Sequence, residues 1–85
     1  MTNRVAAIRI IRRLRKNGFD AFFAGGCVRD MLLKRRPKDY DIVTSAHPDD
    51  VIRLFRRTLK IGAKFGVVMV LIGTQKVEVD RKSVV

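Results

Sequence analysis

The run Ala21-Phe22-Phe23-Ala24-Gly25-Gly26-Cys27-Val28-Arg29-Asp30, followed by Asp39-Tyr40-Asp41, constrains the fold of this chain more than any other feature. A short apolar run that stops on a double glycine suits a buried strand entering a tight turn, because glycine accepts torsions that other residues resist. Val28, Met31 and Leu32 then recur at the spacing of one helix face, predicting a helix over 27–33. A glycine turn at a helix start lets a phosphate approach backbone amides, and Arg29 one turn on can grip it with two parallel hydrogen bonds. Asp30 can orient Arg29 or cap nearby backbone. On a strand, Asp39 and Asp41 would point one way while Tyr40 and Ile42 turn to the core. Paired carboxylates repel unless a cation sits between them, and hard oxygen ligands suit Mg²⁺. Taken together, the residues point to a metal-dependent nucleoside triphosphate site.

The rest of the chain supplies a scaffold. Ala7, Ile10, Ile11 and Leu14 form the apolar stripe of a helix over 3–17, with Thr2 as N-cap and Gly18 as its stop. Arg9, Arg12, Arg13 and Lys16 repeat that spacing on the opposite face, which fits an RNA backbone and plain solvation equally. Lys34-Arg35-Arg36-Pro37-Lys38 is a basic turn beside the site, and Pro37 ends the preceding helix. Tyr40, Ile42 and Val43 mark a second strand. Pro48 opens a third helix, with Asp49 and Asp50 near its positive end and Val51, Leu54 and Phe55 on its apolar side. Strands over 66–72 and 75–80 follow, joined by a turn at Gly73-Thr74. The order α-β-α-β-α-β-β predicts one mixed α/β domain (α+β), a small sheet flanked by helices. The last strand runs almost to Val85, leaving little to cover its far side, so a fragment or truncated domain is expected.

Composition narrows the partners. Nineteen Lys+Arg against eight Asp+Glu give a net charge of +11, a field that attracts polyanions, nucleic acid first among them. No stretch approaches the roughly 18 apolar residues of a membrane span, and the charged N-terminus lacks the apolar core of a secretory signal. Cys27 is the only cysteine, which excludes an internal disulfide and fits a reducing cytoplasm. With no histidine or second cysteine near it in sequence, Cys27 reads as a small buried helix residue. His47 reads as a helix entry. Phe22, Phe23, Phe55 and Phe65 fall in apolar patterns that predict core packing rather than base stacking.

The segments 24–33 and Pro37-Lys38-Asp39-Tyr40-Asp41-Ile42 resemble the head domain of class II tRNA CCA-adding enzymes and bacterial poly(A) polymerases, members of the DNA-polymerase-β-like nucleotidyltransferase superfamily. Thr44-Ser45-Ala46-His47-Pro48 and Ile61-Gly62-Ala63-Lys64-Phe65-Gly66 are also similar to later segments of that family, so the resemblance covers about residues 18–79. It implies that Asp39 and Asp41 bind catalytic Mg²⁺ and that Gly26 and Arg29 contact the incoming nucleotide, with Gly25 shaping the turn. It also implies a third catalytic carboxylate, Glu78, in Val77-Glu78-Val79. Strand alternation agrees, placing Lys76, Glu78 and Asp80 on the side away from the valines. The implied reaction is in-line transfer of AMP or CMP from ATP or CTP to an RNA 3′-hydroxyl, with the tRNA 3′ end as acceptor.

After Glu78 the chain departs from the family. It reads Asp80-Arg81-Lys82-Ser83-Val84-Val85, without the Arg-Arg-Asp motif or the helical neck, body and tail. Residues 1–85 are therefore expected to be an incomplete head domain whose missing parts come from a longer chain or a separate subunit. The alternative function is a non-catalytic basic RNA-binding module that keeps the nucleotidyltransferase fold.

Overall fold

The computed structural model describes residues 1–61 and 66–81. Helix α1 (Asn3–Lys16) comes first, its N-cap Thr2 accepting a hydrogen bond from the Val5 amide at 3.2 Å. Strand β1 (Ala21–Ala24), helix α2 (Gly26–Leu32), strand β2 (Asp41–Thr44) and helix α3 (Pro48–Leu54) follow. Three strands complete the described chain: β3 (Thr58–Lys60), β4 (Val67–Ile72) and β5 (Gln75–Arg81). The mixed α/β class is as expected, and the helix and strand limits fall within a residue or so of the predicted ones.

Two features of the sheet differ from expectation. Strand β3 was not anticipated; α3 stops at Leu54, and the Arg56-Arg57 bend leads into a strand that pairs antiparallel with β4. The strand order is β1-β2-β5-β4-β3, so the last strand lies in the middle rather than at an edge. It pairs parallel with β2 and antiparallel with β4, and both of its sides are occupied.

Helices α1 and α3 cover one face of this sheet. Ile10 and Leu14 of α1, Val51 of α3, Ile42 of β2, Val68 and Val70 of β4, and Val77 and Val79 of β5 are fully or almost fully buried in one cluster. Burying aliphatic side chains of this size stabilises a fold by about 1.5–3 kcal/mol each. The α1 stripe that the 3.6-residue period predicts is the surface that packs. The loop after α1 is fastened to the end of β2, where the Thr44 hydroxyl donates to the Asp20 carbonyl at 2.6 Å. His47 caps α3, its amide donating to the Asp50 carboxylate at 3.1 Å, and Pro48 takes the first helical position.

The phenylalanines divide. Phe55 is buried and Phe23 packs against the core beside Tyr40, with ring centroids 5.6 Å apart. Phe22 corrects its expectation: it is 46% exposed, with the Arg15 guanidinium 5.4 Å from its ring centroid. Adjacent strand residues face opposite ways, so only one of the pair can enter the core. Phe65, most of the Ile61–Gly66 segment and residues 82–85 lie outside the described residues.

Candidate active site

The site is built where β1 ends. Gly25 connects β1 to α2 with φ +69° and ψ −150°, a region essentially reserved for glycine. A Cβ at that position would stand 3.1 Å from Oδ2 of Asp41, so the missing side chain is also what lets the Asp41 carboxylate lie against the turn. Gly26 differs: a Cβ there would meet nothing within 4 Å, leaving open space above the first turn of α2. Beneath the turn the buried Cys27 thiol donates to the Ala24 carbonyl at 2.8 Å, with the Asp41 carbonyl 3.7 Å away. That thiol joins the end of β1 to the start of β2, as befits a packed helix residue.

Register assembles the carboxylates. Asp41 lies directly opposite Glu78 in the parallel β2–β5 pair. The row continues on both sides, from Ala24 in β1 through Asp41 and Glu78 to Met69 in β4 and Leu59 in β3. Paired residues share a face, and this row alternates with the buried Ile42, Val77 and Val79. Asp41 and Glu78 therefore stand on the side of the sheet away from the main core.

Asp39 does not share the strand with Asp41. It lies in an exposed bend, and β2 begins only at Asp41, so strand alternation does not set its direction. Tyr40 is buried as expected, and its packing on Phe23 anchors the segment between the two aspartates. The preceding basic loop is tied to α1, the Asn3 side-chain amide donating to the Lys38 carbonyl at 3.1 Å. Lys34 in that loop takes a left-handed φ of 57°.

The electrostatics single out Glu78, whose pKa is raised above the ordinary glutamate value. Partial burial of the carboxyl is the largest cause; the Asp41 charge, a hydrogen bond with the Asp41 carboxyl, and the charges of Asp39 and Asp80 add to it. Glu78 thus feels three neighbouring acids. Asp80 enters this group through the same alternation that puts Glu78 on the outer face. Among the described residues, no three Asp, Glu, His or Cys side chains form a ready-made metal cage.

Arg29 projects from the last turn of α2 and is exposed, its side chain making no hydrogen bond or ion pair with the described residues. The expected alternative in which Asp30 orients it is not realised, since no Arg29–Asp30 pair forms. No helix among the described residues is long and apolar enough to cross a membrane.

Comparison with known proteins agrees with this fold. Residues 21–84 match the family described as the poly A polymerase head domain. The chain is 49% identical over 65 residues to a CCA-adding enzyme of Geobacillus kaustophilus, an overlap covering 76% of this chain and 16% of that one. It is 42% identical over 73 residues to poly(A) polymerase I of Salmonella typhi, covering 86% of this chain and 16% of the relative. Among solved structures, the Bacillus stearothermophilus CCA-adding enzyme in complex with CTP superposes with a TM-score of 0.86 at 42% identity, covering 94% of this chain and 20% of that one. The chain thus spans about a sixth of the length of the relatives it matches.

Proposed function

The chain belongs to the poly A polymerase head domain family, and on that premise we propose that it is the catalytic head of an RNA nucleotidyltransferase. It transfers AMP or CMP from ATP or CTP to an RNA 3′-hydroxyl, with tRNA CCA addition favoured over polyadenylation. Residues 1–85 form an incomplete head unit, and selection of the base falls to other parts of the enzyme. A cytoplasmic location fits a chain whose only cysteine is a buried free thiol.

One observation carries the reading: the Asp41 carboxylate rests against the Gly25 turn while facing Glu78 across the β2–β5 pair. Asp41, with Asp39 from the adjoining bend, would hold Mg²⁺. The donor set fits, because these are hard oxygen ligands and the site's repulsion calls for a cation. Mg²⁺ needs only one or two protein carboxylates, taking its other ligands from water and substrate phosphates, so the lack of a three-residue cage is no obstacle. When bound, the metal supplies charge neutralisation at the triphosphate and lowers the pKa of the attacking hydroxyl.

The chain's own groups do the rest. Glu78, with its raised proton affinity, completes the acidic face and holds Asp41 opposite it. The turn at Gly25 and the open space at Gly26 leave room for phosphate oxygens to approach the backbone. Arg29, unengaged within the fold, is available for a bidentate phosphate contact. These groups position and neutralise charge, which is most of what phosphoryl transfer asks of a protein.

Calorimetry of ATP or CTP binding with Mg²⁺ tests this. The parent chain is expected to bind triphosphate only with Mg²⁺ present, and D39A/D41A to lose that binding. Equal binding by parent and variant would overturn the metal assignment. RNA binding without triphosphate binding in the parent would leave the non-catalytic RNA-binding module in its place.

A further inference from the structure

A second charged surface lies on the helix side of the sheet, away from the Asp41–Glu78 row. The C-terminal half of α1, the end of α3 with the Arg56-Arg57 bend, and the β4–β5 turn enclose an open groove of about 900 Å³. Arg9, Arg12, Lys16, Arg56 and Arg57 line it, together with Arg13 and Arg53, and no acidic residue does.

Two of these arginines already have employment. Arg53 pairs with Asp50 at 3.0 Å, and Arg13 donates to the Leu54 carbonyl at 3.1 Å while covering the Phe55 ring. Arg13 thereby holds α1 against α3 and sets the width of the groove. The Leu71 amide donates to the Arg57 carbonyl at 3.0 Å, fixing the opposite wall to the sheet. The side chains of the remaining five cations are exposed and make no hydrogen bond or ion pair with the described residues. Arg9, Arg12 and Lys16 recur along one helical face, spaced over about 10.5 Å of axis. A fixed frame thus carries several unneutralised charges in line.

We propose that this groove docks the phosphate backbone of base-paired RNA. The proposal rests on the reading of the chain as an RNA-directed enzyme and assigns a second contact surface to it. Charge complementarity identifies the partner as a polyanion. The absence of an exposed aromatic ring in the groove favours a duplex over a single strand, because single strands are held largely by stacking bases on such rings. Phe55 is the one aromatic residue among the described residues lining the groove, and it is buried beneath Arg13.

Fluorescence anisotropy on the complete chain, using a labelled RNA hairpin with a fully paired stem, tests the proposal. R9Q/R12Q/K16Q is expected to weaken binding at least about tenfold and to make the slope of log K against log salt shallower by about 2–3. R56Q/R57Q is expected to act in the same direction through the other wall, so the result does not hang on one variant. Thermal melts should match the parent, since all five side chains are exposed. Unchanged affinity and salt slope in both variants would overturn the proposal. So would equal binding of an unpaired strand of the same length, or preferential binding of vesicles rich in anionic lipid. Triphosphate binding with Mg²⁺, followed in parallel, should persist in both variants, so a failure of the groove is distinguishable from a failure of the carboxylate site.

Discussion

Asp41 and Glu78 meet head-on across a parallel strand pair, and the Glu78 carboxyl holds its proton to higher pH than an ordinary glutamate. A glutamate whose pKa is raised on folding stabilises the fold below its unfolded value and loses that contribution as pH rises through the folded value. Glu78→Gln should therefore raise the melting temperature of the metal-free protein at pH 7. The difference should vanish only well below about pH 4.3, the ordinary glutamate value, where the parent is neutral at this position in both the folded and the unfolded state. Differential scanning fluorimetry across that range checks it, and equal melting at pH 7 would contradict it. Added Mg²⁺ should stabilise the parent more than the variant, because a ligand stabilises the state that binds it.

Gly25 and Gly26 should respond differently to alanine. Gly25→Ala forces a side chain into a glycine-only conformation and against Asp41, and should cost about 1–3 kcal/mol while disturbing triphosphate binding. Gly26→Ala has open space and should cost at most about 1 kcal/mol. Urea titrations of both variants, read against the parent, test the contrast.

Leu14 and Ile10 are fully buried in the α1–sheet interface. Leu14→Ala should cost about 2–5 kcal/mol. A domain of this length has only about 4–13 kcal/mol of total stability, so the variant should lose a large share of it. Circular dichroism melts would show this, and a loss below about 1 kcal/mol would mean that α1 contributes little to the core.

Cys27 is 3% exposed and its thiol faces the Ala24 carbonyl. Native protein should react slowly with a thiol reagent and rapidly in denaturant, and Cys27→Ala should keep the site's triphosphate affinity within a few-fold. Fast labelling of the native protein would refute the packing role.

Much of the scaffold is legible in the sequence because it is local. The α1 stripe, the Thr2 cap and Pro48 each act within a turn or two of chain, and all lie where the residues predict. The outward direction of Glu78 is legible too, because the flanking valines must face the core. What is not legible depends on strand order. That Glu78 stands opposite Asp41 follows from β5 lying beside β2, a choice made by packing over more than thirty residues of separation. Strand β3 has three residues, too few for a period to show, and Leu59 within it is 54% exposed. Its pairing with β4 makes it a strand. The spacing of Asp39 from Asp41 reads as one strand, but β2 begins only at Asp41, after the buried Tyr40.

The central place of β5 bears on how the molecule comes into being. Strands β1 and β2 pair with each other, as do β3 and β4, and among the described strands only β5 hydrogen-bonds to both pairs. During synthesis the ribosome releases these two ribbons first, neither of which is stable alone in water. The strand that zips them is also the one that carries Glu78. The five-stranded sheet and the Asp41–Glu78 pairing are therefore completed together, when β5 docks between β2 and β4.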